Sequence, residues 1–152
     1  MLRISKNASV TISIVLSSLF CAVLLAAAFI LPDFVHMIAS AALHPLGLRD
    51  GIFVLVSGYG ILLFALLAAV MLIRLLLLVR SGRVFTAMAV SLIRGVSWCA
   101  FAISAIFLAM TWYYLVALVL AFTAVLLGLC LRVVKNVIEE ATEIKSENDL
   151  TV

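Results

Sequence analysis

Acidic side chains are what this chain most conspicuously lacks. Its long apolar runs hold no Asp or Glu, so the carboxylate of a proton relay or an intramembrane cation site is missing. Charge of either sign is scarce, at 11% of the residues against 68% apolar, and that balance excludes a soluble globular protein. The class it implies is integral membrane. No Cys-x-x-Cys pair and no glycine-rich phosphate loop occur, and no histidine is placed as a base for a serine at membrane depth. Those absences argue against an enzyme and against a bound cofactor or metal. Three cysteines, Cys21, Cys99 and Cys130, all lie in apolar stretches, where a thiol behaves as a small hydrophobe and not as part of a disulfide framework.

Four apolar runs are present, at about 10–31, 52–78, 87–110 and 115–131, within a single transmembrane domain spanning 1–152. A crossing needs ~20 apolar residues for a ~30 Å core, so four crossings use nearly the whole chain and leave no soluble catalytic domain. The expected fold is all-α, an integral membrane four-helix bundle with a C-terminal amphipathic helix over 132–152. The first run has 22 residues, longer than the ~7–15 of a signal-peptide core, and reads as a retained helix. It is expected to stop at Pro32-Asp33, because proline lacks the N–H a helix needs. The second is expected to open at Asp50-Gly51, with Asp50 accepting from first-turn N–H groups. Gly82 supplies a turn in the basic stretch "RSGRVFT", and Thr86 caps the third helix. Residues 87–131 are nearly unbroken, yet 45 residues of helix would run about 67 Å, so the chain must turn back near Trp112, Tyr113 and Tyr114.

Nine of the ten basic residues (Arg3, Lys6, Arg74, Arg80, Arg83, Arg94, Arg132, Lys135 and Lys145) fall on one side of such an arrangement, and Arg49 alone falls on the other. By the positive-inside bias both termini are cytoplasmic. That position voids the glycosylation match at Asn7.

"VSGYGIL", Val56 to Leu62, carries the Gly-Tyr-Gly of a potassium-channel filter, but Gly60 runs on into Ile61, Leu62 and Leu63 without the extended segment a filter requires. Ser57, Gly58 and Gly60 are read instead as small residues that admit a neighbouring helix. In the loop after the first run, His36 and His44 would stand ~12 Å apart along a helix, too far to share a metal. Phe34, Val35, Ile38, Ala41 and Ala42 set against His36 and Ser40 give that loop the pattern of a segment lying in the interface. Arg74 and Arg94 are close enough to helix ends to snorkel. Alternatively they hold anionic lipid headgroups, or acids of the tail, between the second and third helices.

From Arg132 onward Val133, Val134, Val137, Ile138, Ala141 and Ile144 recur at three- and four-residue spacing, while Asn136, Glu140, Glu143 and Glu147 share another face. The fourth helix is therefore expected to continue into the cytoplasm. Beyond Lys135 the formal charge is −4 before the terminal carboxylate, which an anionic leaflet repels. A protein partner or the basic hairpin is the natural acceptor. The residues proposed to meet it are Arg74, Arg80, Arg83 and Arg94 with Glu140, Glu143, Glu147, Asn148, Asp149 and Leu150. A solvated end is the plain alternative.

The hairpin "GRVF" followed by "LIRG", and the end "NVIEEATEIKSENDLTV", make the chain resemble the YoaS-like group of bacterial membrane proteins of unknown function. The resemblance spans essentially the whole chain and rests on Gly82, Phe85, Leu92, Arg94, Glu147, Asn148, Asp149, Leu150 and Thr151, with Val152 where Ile is commoner. It implies a multi-pass protein of the bacterial plasma membrane. Its relatives are often encoded beside a small helix-turn-helix regulator, which suggests a membrane protein that holds a cytoplasmic transcription factor without itself touching nucleic acid. The rival expectation is a self-associating channel, exporter or immunity protein, a homo-oligomer using Gly58, Tyr59, Gly60 and the arginine pair.

Overall fold

The computed structural model describes residues 6–39, 42–44, 47–82 and 84–150, with side chains described from Ser9 to Glu147 among these. Four helices follow one another: α1 (Lys6–Ile38), α2 (Leu48–Arg80), α3 (Ala87–Met110) and α4 (Val116–Leu150). No strand occurs among the described residues, and all four helices are long and apolar enough to cross a membrane. In lipid only a structure that closes its own backbone hydrogen bonds is tolerated, and an all-helical chain meets that demand segment by segment. Each helix packs mainly on its sequence neighbours, α1 on α2, α2 on α3 and α3 on α4. Hydroxyls in the apolar runs bond back along their own helix, Ser18 to the Ile14 carbonyl and Thr123 to the Val119 carbonyl, both at 2.9 Å.

Pro32 does not stop α1. The helix continues six residues past it to Ile38, so Phe34, Val35 and His36 are helical and the interface-lying segment expected there is not formed. Proline at 32 deprives the Ala28 carbonyl of the N–H that would normally bond it. Tyr59 on α2 takes that place, its hydroxyl donating to the Ala28 oxygen at 3.2 Å. With the vacated acceptor satisfied from outside, the helix no longer has to end. Val35 is thereby carried into a core where all four helices meet, with Val54, Met110 and Ala117.

α2 opens two residues earlier than Asp50, behind Gly47 as N-cap. Asp50 sits in the first turn and its Oδ2 accepts from the Gly47 N–H at 3.2 Å. Its Oδ1 accepts from the Tyr113 hydroxyl at 2.9 Å, and the Leu43 N–H donates to the Tyr113 carbonyl at 2.8 Å. These bonds tie the α1–α2 loop to the α3–α4 turn. Trp112 joins them, its ring 5.9 Å from that of His44. At the opposite end Gly82 adopts φ +73°, a conformation that favours glycine, and Thr86 Oγ1 accepts from the Ala89 N–H at 3.3 Å to start α3.

Candidate functional site

Among the described residues the most extensive helix-on-helix packing joins α3 to α4. Ser97 donates to the Gly128 carbonyl at 2.9 Å and Ser104 to the Ala121 carbonyl at 3.0 Å, both bonds buried. The two serines are seven residues apart on α3 and their acceptors seven apart on α4, so antiparallel helices meet in register at both. A side chain on Gly128 would place its first carbon 3.0 Å from the Phe101 ring, so glycine is what lets the backbones approach.

At its hairpin end this seam becomes charged. Arg94 Nη2 meets Glu139 Oε1 at 3.2 Å, joining α3 to α4, and Lys135 donates to the other oxygen of Glu139 one turn back. Glu139 therefore holds two cations from two helices. Arg132 stands over the rings of Trp98 and Phe101, 5.1 and 5.6 Å from their centres. Two clefts flank Arg94. One, about 370 Å³, runs toward Glu139, Thr142 and Glu143. The other, about 210 Å³, runs toward Trp98, Arg132, Lys135 and Asn136.

Arg94 was expected to snorkel, or to hold lipid headgroups or acids of the tail between α2 and α3. It does meet a tail acid, Glu139, but across α3–α4, because Glu139 lies on the face of α4 turned to α3. Of the acids proposed for a partner, Glu143 lines the cleft with Arg94, while Glu140 and Glu147 lie exposed along α4. Arg74 and Arg80 are exposed on α2, away from that cleft. Arg83 lies outside the described residues, as do the side chains of Asn148, Asp149 and Leu150, although α4 itself runs to Leu150. Glu139 and Arg132 entered the sequence reading only as charges of the tail and of the inner side, and Trp98, Ser97 and Ser104 were not singled out. The seven-residue spacing of the serines, matched by Ala121 and Gly128, was the available signal.

Val56–Leu62 is helical throughout, so its carbonyls are committed to the helix and form no filter. Gly58 faces Leu31 of α1, and Gly60 faces Ile106 of α3, at 3.1 and 3.3 Å from where a Cβ would sit. Ser57 is buried on the same helix. Among the described residues no group of three or more His, Cys, Asp or Glu side chains gathers.

Four long apolar helices, joined by short loops and sealed by buried serine-to-carbonyl bonds, define a multi-pass membrane protein. The chain belongs to the DUF2975 family, a family of proteins of unknown function, whose model matches residues 7–152. No curated protein and no solved structure matches it.

Proposed function

We propose that the chain is a non-enzymatic interaction protein of the bacterial plasma membrane, with its termini and the α2–α3 hairpin in the cytoplasm, and that α4 beyond Arg132 engages a cytoplasmic protein. The observation that carries this is the extension of α4. The helix has 35 residues, about 52 Å, and so outruns a ~30 Å core by some fifteen residues. On that extension Val137 and Ile144 are 61% and 59% exposed, and Glu140 and Glu143 lie exposed beside them. An apolar stripe in water is a docking surface. Its acidic border selects a basic partner, and DNA-binding helices are basic. The finer resemblance to the YoaS-like group supports a helix-turn-helix regulator as that partner. The nine-to-one bias of basic residues supports the orientation.

The test is recovery of a helix-turn-helix protein with the tagged chain from its own membranes, compared with chains lacking residues 147–152 or carrying Val137→Glu. Capture that survives both changes removes the tail from the mechanism. A cysteine placed at Asn148 should react with a membrane-impermeant thiol reagent only after the cells are opened, and labelling of intact cells would overturn the orientation.

A further inference from the structure

The smaller cleft beside Arg94 has a composition that neither snorkelling nor protein capture uses. It is lined by Arg94, Ser97, Trp98, Arg132, Lys135 and Asn136: three cations, an amide, a hydroxyl and an indole, within about 210 Å³ between α3 and α4. Glu139 offsets part of this charge by holding Arg94 and Lys135, which leaves the cluster at a formal +2. Among the described residues Arg132 is held by aromatic faces alone, so its N–H groups remain available at the edge of the stack. Depth then identifies the ligand. Arg132 is 16 residues along α4 from Val116, and Arg94 is 16 residues along α3 from Met110, each about 24 Å by helix rise. That distance takes both residues from the aromatic turn to within about 6 Å of the far edge of a ~30 Å core, a gap that an arginine side chain spans by snorkelling. Trp98 is 59% exposed beside them, as an interfacial anchor is.

We propose that this cleft binds the phosphate of an anionic phospholipid, with Arg132 and Lys135 as its principal donors and Trp98 against the glycerol and upper acyl chain. An arginine fork and a lysine point charge are complementary to a phosphodiester, and from the edge of the core their long side chains reach the layer where lipid phosphates lie. Glu139 competes with the lipid for Lys135 and Arg94. Occupancy by lipid therefore loosens the clamp that fixes the start of the α4 extension against α3.

Native mass spectrometry of the full chain, purified in mild detergent with equal phosphatidylglycerol and phosphatidylcholine, reads this directly. The chain should retain phosphatidylglycerol in preference to phosphatidylcholine, and Arg132→Gln or Lys135→Gln should each lower that retention about fivefold. Arg132→Lys, which keeps the charge and guards against misfolding of the glutamine variant, should retain most of it. Glu139→Gln should raise retention, an effect that a merely structural role for the cluster does not produce. Arg80→Gln, on the hairpin and outside the cleft, should leave it unchanged. Equal retention of both lipids, equal loss in Arg80→Gln, or a fall in Glu139→Gln would overturn the site. Stripping of the lipid by millimolar inorganic phosphate would overturn the lipid assignment in favour of a small-anion site.

Discussion

The two halves of the molecule use interhelical hydrogen bonds for opposite purposes. Along α3–α4, Ser97 and Ser104 add bonds to carbonyls of the neighbouring helix, and α3 buries seven side chains. Along α1–α2, the Tyr59 hydroxyl replaces a bond that Pro32 has removed, and Val35 alone of the described α1 side chains is buried. In lipid the hydrophobic effect does not drive one apolar helix onto another, so close approach and polar bonds decide which pair is tight. The first half therefore has one substituted bond where its helix passes a proline, whereas the second is held at repeated points. The largest effect should come from prising the second seam open. Gly128→Leu forces a side chain into the Phe101 ring and should cost about 1–3 kcal/mol in SDS-driven unfolding. Gly51→Ala, with no atom within 4 Å of its new carbon, should instead stabilise by up to ~1 kcal/mol. Equal responses of the two would erase the distinction between the halves.

The first half offers a sharper test, because its bond exists only on account of a proline. Tyr59→Phe leaves the Ala28 carbonyl without a partner in a region that water does not reach, at a cost of about 1 kcal/mol. In a Pro32→Ala background the helix supplies its own N–H to that carbonyl, and the same tyrosine change should become nearly silent. A double-mutant cycle on SDS unfolding reads the difference as a coupling of about 1 kcal/mol. Additive effects would mean that the tyrosine does not stand in for the missing donor. Smaller again are the serines: Ser97→Ala and Ser104→Ala should each cost about 0.6 kcal/mol, the usual size of such bonds between membrane helices. They should be additive, because the two sites lie seven residues apart, about 10 Å along α3.

The features visible in the sequence are those that local chemistry decides. Apolar runs of sufficient length mark the helices, Thr86 and Gly82 mark a cap and a turn, and the three aromatics after Met110 mark the reversal, since 45 residues of helix do not fit a bilayer. The continuation of α4 was legible for the same reason: its three- and four-residue periodicity persists beyond Arg132. The hidden features depend on partners distant in the chain. Pro32 reads as a stop until Tyr59, 27 positions on, is seen to supply the missing donor. Five acids follow Lys135, and only the rotation of α4 against α3 decides that Glu139 rather than Glu140 meets Arg94. The serine spacing was on view, but the helix that receives those bonds was not.

One of the contacts that join the two halves is titratable. The Tyr113 hydroxyl in the α3–α4 turn donates to Asp50 at the start of α2, and that bond to a carboxylate, reinforced by partial desolvation and by the carboxylate charge, raises the Tyr113 pKa above the ordinary tyrosine value. A folded-state pKa above the unfolded one means that the bond stabilises fully below about pH 10 and is lost as the pH climbs through the raised value. Asp50→Asn keeps an acceptor but removes the charge, so Tyr113 should titrate at lower pH in that variant. Absorbance at 295 nm, taken as the difference from Tyr113→Phe, isolates this hydroxyl from Tyr59 and Tyr114. A Tyr113 curve indifferent to Asp50→Asn would show that the carboxylate does not hold the turn. The halves would then be joined at that end by the Leu43–Tyr113 backbone bond, the His44–Trp112 and Phe53–Tyr113 ring contacts and the packing around Val35 and Ala117.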